Sequence, residues 1–260
     1  MQIIFWLATS TVAALGYMNA RKTIFQPLRT EIFKKQIEAL SSALELFVGK
    51  GEEELAEDFD MRFGVRANIY QMYDAYLKYA FKRKRPDDKL EYRPELCPSA
   101  WVHEDYLKLD LEDKVEATEE SGTRKKKTSE EGKPWEFRAG MIAVPRKYGE
   151  REAEFRAVLD NPVLPVVVAD LIEQYLETVR SYLGAVGPVL EECSIEMPDR
   201  YPTLEDILRA RFGWIDNRLA EYRCNNGISL SDSATAVVHE IRTYFDSDNL
   251  LPRGKSRKRK

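Results

Sequence analysis

The chain has 260 residues, a formal net charge of −4 and an ordinary apolar content, enough to bury one large or two small cores; this excludes a wholly disordered or fibrous polypeptide. Arg253, Lys255, Arg257, Lys258, Arg259 and Lys260 offset a more strongly acidic body, so specific nucleic-acid binding is not expected, and salt-sensitive, unspecific attraction of the tail is the most it offers. Three widely spaced cysteines, Cys97, Cys193 and Cys224, argue against a disulfide framework and fit a reducing compartment.

Residues 1–20 form the longest stretch without a charged side chain. As a helix they span about 30 Å, the thickness of one bilayer core, which predicts a transmembrane anchor. A cleaved signal peptide would need a basic n-region and a small-x-small cleavage site, whereas only Gln2 precedes Ile3 and the bulky Met18 lies near Ala20. Snorkelling by Arg21 and Lys22 extends a slightly short apolar core. Basic residues follow the segment and none precede it, so the N-terminus is expected outside and the C-terminal domain in the cytoplasm. Thr9, Ala13, Gly16 and Ala20 are small residues spaced to admit a second membrane helix, while Trp6 and Tyr17 lie near the two interfaces.

Residues 21–86 read as a helical hairpin stalk. A kink or fresh start is expected at Pro27, after which Phe33, Ile37, Leu40, Leu44 and Phe47 recur at spacings of four and three. Gly49-Lys50-Gly51 ends this helix but is no phosphate-binding loop, which needs a different glycine spacing after a strand. Acidic residues from Glu52 to Asp60 mark a turn or helix start. Val65, Ile69, Met72, Tyr76 and Tyr79 then form a second seam, ending in Lys82, Arg83, Lys84 and Arg85 before Pro86. If the second helix returns antiparallel to the first, these cations join Arg21 and Lys22 as a membrane-surface contact, with anionic lipid as partner.

Residues 87–149 are irregular. Leu107, Leu109 and Leu111 alternate with charges as in a strand, 116–134 is a charged flexible loop, and Trp135, Phe137, Met141, Ile142 and Val144 resume order, leaving room for a small β element around 105–148. Residues 150–246 return to helix as a bundle. A short helix carries Phe155, Val158 and Leu159 up to an Asp160-Asn161-Pro162 turn. The regular seam Val168, Ile172, Tyr175, Val179, Tyr182 and Val186 marks a central bundle helix, terminated or bent at Gly184, Gly187 and Pro188. Thr203-Leu204-Glu205-Asp206 has the form of a helix start, for a helix carrying Leu208, Phe212, Ile215, Leu219 and Tyr222. A last helix from near Ser231 packs through Ala234, Val237, Val238, Ile241 and Phe245, and 247–260 is a disordered basic tail.

No catalytic signature stands out, so catalytic residues stay unassigned and enzymatic activity is not the leading expectation. His103 and Cys97 lack metal-ligand spacing, and His239-Glu240 is not followed by a histidine at Thr243, so neither a metal site nor a cofactor is expected. His239 falls off its helix's packing face, as a solvated residue would. The architecture expected is mainly α: an N-terminal transmembrane helix, a helical hairpin and a cytoplasmic helical bundle. Its expected role is that of an interaction or scaffold module at the inner membrane surface, with a protein partner or a second copy of itself. Two alternatives are a membrane-associated enzyme with a site in 101–148 and an oligomerising effector that disturbs the membrane through its anchor.

Overall fold

The structure, a computed structural model, describes residues 2–84, 97–102 and 135–245, with backbone alone for 2–5, 7–10, 12 and 19–29. The described residues form nine helices and one small sheet: α1 (Gln2–Glu45), α2 (Glu52–Asp58), α3 (Met61–Phe81), β1 (Ser99–Val102), β2 (Met141–Val144), α4 (Arg146–Leu159), α5 (Val166–Gly184), α6 (Val186–Arg200), α7 (Leu204–Leu208), α8 (Gly213–Asn225) and α9 (Leu230–Phe245). The chain is thus mainly helical, as its periodicities predict. Contacts divide it into a first unit, Met1–Val48, Phe155–Ile172 and Val237–Lys260, and a second, Gly49–Glu154 and Glu173–Ala236.

In the first unit, α1 is 44 residues long, about 66 Å at the usual helical rise, and continues through Pro27, where a kink or a fresh start was expected, with no fresh start. Among its described side chains, the buried ones lie at the C-terminal end. Ala39, Leu40, Ala43 and Phe47 are buried, and Phe47 meets Phe155 edge to face with ring centroids 5.4 Å apart. Tyr244 Oη donates to Gln36 Oε1 at 3.2 Å. Just upstream, residues 30–35 are all exposed, and Phe33, expected in the seam, is 53% exposed. Among the described residues no helix is long and apolar enough to cross a membrane, so the fold lends the transmembrane assignment of 1–20 no support.

The second unit is organised around α3, which packs against α2, β2, α6 and α7. Val65, Ile69, Met72 and Tyr76 of its predicted seam are buried, with Tyr79 half-buried at the rim. Gly64, Ala67, Asn68, Tyr73 and Leu77 are also buried, so the covered face is broader than one stripe. At Gly64 a Cβ would stand 2.9 Å from Pro145 Cγ and 3.1 Å from Leu183 Cδ1; any larger residue would push the helix off both.

One turn later Asn68, 1% exposed, reaches the sheet. Its Nδ2 donates to the Gly64 carbonyl (2.8 Å) and the Ala143 carbonyl (3.0 Å), and Ala143 N–H donates to Asn68 Oδ1 (2.8 Å). Strands β1 and β2 pair antiparallel with Ala100 opposite Ala143. Both polar backbone groups of Ala143 face Asn68, so the side-chain amide takes the place of a third strand on the free edge of β2. The partner of 141–144 is Ser99–Val102, upstream of the alternating run at 107–111, which lies outside the described residues.

Several helix boundaries differ from the sequence expectation. The acidic stretch after Gly51 is the two-turn helix α2, with Glu52, Glu53 and Glu54 in its first turn. The seam of α5 is buried at Val168, Ile172, Tyr175 and Val179 and stops at Gly184, but Val186 opens a further helix, α6, with Gly187 and Pro188 in its first turn, where proline's missing N–H has no helical partner to lose. The helix start at Thr203 is realised: Thr203 Oγ1 accepts Asp206 N–H (3.2 Å), and Asp206 Oδ2 accepts Thr203 N–H (3.2 Å). That helix is short, however. It ends at Leu208, and α8 begins anew at Gly213 after Phe212 has turned into the Tyr70, Tyr73 and Tyr201 rings.

Replacing Asn68 with alanine removes three hydrogen bonds and strands both backbone groups of Ala143 in a buried place. The expected cost is about 2–4 kcal/mol, read as a lower urea midpoint by circular dichroism; an unchanged midpoint contradicts the assigned role.

Candidate functional site

The corner between α2 and α3 is made by Phe59, whose ring is fully buried, and Asp60, whose backbone adopts the left-handed conformation at φ 52°. An aspartate tolerates this better than most residues. Beside the corner the second unit opens a cleft of about 620 Å³, lined by Glu52, Glu53, Glu57 and Asp60, by Arg62 and Arg66 of α3, by Tyr182 of α5, and by Asp216 and Arg223 of α8.

The inner charges of this cleft are engaged in holding it together. Arg66 Nη2 lies 2.6 Å from Asp216 Oδ2, joining α3 to α8. The Arg223 guanidinium sits 3.5 Å from the centroid of the Tyr182 ring and donates from Nε and Nη2 to the Tyr182 carbonyl, at 3.1 and 2.9 Å. Glu52 accepts the backbone N–H groups of Leu230 (3.2 Å) and Ser231 (2.7 Å), placing a carboxylate on the N-terminal end of α9. Burial raises the Tyr182 phenol above the ordinary tyrosine value, opposed by Arg223 and reinforced by Glu52 and Glu53. Burial lowers Arg223, against the pull of Tyr182, Glu52 and Asp216. What the cleft presents outward is a rim of exposed Glu53, Glu57 and Arg62 with half-buried Asp60, an arrangement suited to binding mixed charge.

The residues singled out by sequence are not gathered there. Ala13 and Gly16 are exposed on α1, and a Cβ at Gly16 would meet nothing within 4 Å. The side chains of Thr9, Ala20, Arg21 and Lys22 lie outside the described residues, as do Arg85, His103 and most of 101–148. Lys82, Arg83 and Lys84 are exposed at the end of α3. His239 is exposed, as its position off the packing face predicts. Among the described residues no group of three histidine, cysteine or acidic side chains could hold a metal ion. The cleft itself left one faint trace in the sequence: Arg62 and Arg66 share a helix face, as do Asp216 and Arg223. No protein-family model, curated protein sequence or solved structure matches this chain.

The cysteines are free and differ in environment: Cys193 is buried, Cys97 intermediate and Cys224 exposed. Burial, reinforced by Glu196, pushes the Cys193 thiol up from 9.0 to about 11. Its stabilising contribution is therefore complete below pH 9, where the thiol is protonated folded or unfolded, and is lost as pH climbs through the folded value. The expected loss approaches about 2–3 kcal/mol by pH 11, and the Cys193→Ala protein should show a flatter decline. At pH 8 a thiol reagent should modify Cys224 in the native protein and Cys193 only after denaturation, as followed by mass spectrometry; native labelling of Cys193 refutes this.

Proposed function

We propose that the protein is a membrane-tethered interaction or scaffold module, held by residues 1–20 with its N-terminus outside and presenting its helical domain at the inner membrane surface. The observation that carries this reading is the uncovered apolar surface of α1. Trp6, Leu15, Tyr17 and Met18 are 56–69% exposed, within a stretch that holds no charged side chain. In water each such side chain forgoes roughly 1.5–3 kcal/mol of burial, and a lipid phase removes that penalty.

Between this stretch and the first packed turn near Gln36, α1 stays helical for about 15 residues, close to 22 Å at the usual rise. That length carries the chain out of the bilayer core before its first packed turn. The cleft's outward rim supports the interaction half of the reading: its inner charges are held by partners within the fold, while Glu53, Glu57 and Arg62 face solvent. Charges disposed in this way steer and orient a protein partner.

The test is alkaline carbonate extraction of membranes from cells producing the full chain. The unaltered protein should stay in the pellet. Ala13→Arg with Leu15→Arg should move it to the supernatant, since each arginine at the centre of a spanning helix costs about 2.5–3.5 kcal/mol. An unaltered protein extracted by carbonate overturns the tether.

A further inference from the structure

The end of α3 carries a surface that the cleft does not use. Lys78 lies in its last turn, Lys82 caps it, and Arg83 and Lys84 follow; all four are exposed, and among the described residues none of them is held in an ion pair. The segment is a built terminus. Lys82 turns left-handed at φ 53°, and the N–H groups of Lys82 and Arg83 both donate to the Leu77 carbonyl. One or two cations would satisfy the helix dipole, and four exceed that need.

Tyr79, next to Lys78 in the chain, and Phe81, next to Lys82, belong to a cluster of aromatic rings. Tyr79 lies 5.3 Å from Trp135 between ring centroids, Phe81 lies 5.9 Å from the buried Tyr76, and Phe137 stacks on Trp135 at 6.5 Å. Trp135 is pinned by its indole N–H, which donates to the Ser194 carbonyl at 2.8 Å. Tyr79, Phe81, Trp135 and Phe137 all remain half-uncovered. Adjacent apolar rings and free ammonium groups are complementary to an interface that is apolar below and anionic above. The cations are mostly lysines, hydrated point charges suited to a diffuse array of headgroups rather than to bidentate reading of a defined phosphate or base.

We propose that the C-terminal end of α3, through Lys78, Lys82, Arg83 and Lys84 with Phe81 among them, is a second membrane contact that selects anionic lipid. It rests on the tethered reading, because the tether supplies the local concentration at which a few weak charge contacts suffice.

The experiment uses the full chain in lipid nanodiscs of phosphatidylcholine, with or without phosphatidylserine, containing a headgroup nitroxide quencher. A fluorophore is placed at the exposed Glu136→Cys in a Cys97→Ser, Cys224→Ser background. Quenching is expected in serine-lipid discs and not in neutral ones, and is lost when Lys82, Arg83 and Lys84 are changed to serine while the protein still co-elutes with the disc. Quenching that ignores lipid charge, or survives those serines, overturns the contact and leaves the tether standing. If the protein elutes apart from discs, the tether fails. The same dye then reads binding of the free protein to phosphatidylserine vesicles, where the triple substitution should weaken binding about a hundredfold and no change overturns the contact. A single-stranded oligonucleotide or polyglutamate that depends on these cations, while lipid quenching does not, assigns the surface to another polyanion and also overturns it.

Discussion

The second unit depends on the pairing of one side-chain amide with one residue of backbone. A two-stranded ribbon is marginal by itself, with a row of unpaired groups on either edge. Asn68 meets both backbone groups of Ala143 and ties its spare donor to the Gly64 carbonyl, so one edge of β2 is closed by a helix. This works only because α3 can come near. Gly64, one turn before Asn68, lets Pro145 and Leu183 approach to a distance that a methyl group would occupy. The helix that organises the unit is thus locked to the sheet by a polar contact in an otherwise apolar interface, which sets register as hydrophobic packing alone does not.

A similar economy governs the charged cleft. Its volume and titratable lining invite a catalytic interpretation, yet the inner groups serve architecture: Arg66 with Asp216, Arg223 on Tyr182, and Glu52 at the start of α9. Each joins elements far apart in the chain, and each is partly shielded from solvent, where a charge-assisted bond counts for more than on an open surface. At the rim Glu53, Glu57 and Arg62 are exposed.

Helices were legible wherever their evidence is local. The seams of α3, α5 and α9 and the Thr203 cap follow from spacing and from one hydroxyl. α6 was hidden because Gly184, Gly187 and Pro188 read as punctuation, although proline in a first turn costs little. The break after Leu208 was hidden for the opposite reason, since Leu208, Phe212 and Ile215 keep helical spacing across a gap whose cause is the tertiary aromatic cluster around Phe212. Phe33 shows a further limit: periodicity identifies the apolar face of a helix but not how far along it the chain supplies a cover. The cleft was least legible, because Arg66 and Asp216 meet across a separation of 150 residues with no local mark of the encounter.

The unbroken course of α1 has a mechanical meaning. A helix turns about 100° with each residue, so a rod without a joint converts residue number into angle. Whatever grips the first twenty residues therefore also sets the bearing of the packed turn at Leu40 and Phe47, and a twist applied at one end arrives at the other. In such a rod Pro27, which leaves the helix whole, is the natural point for compliance.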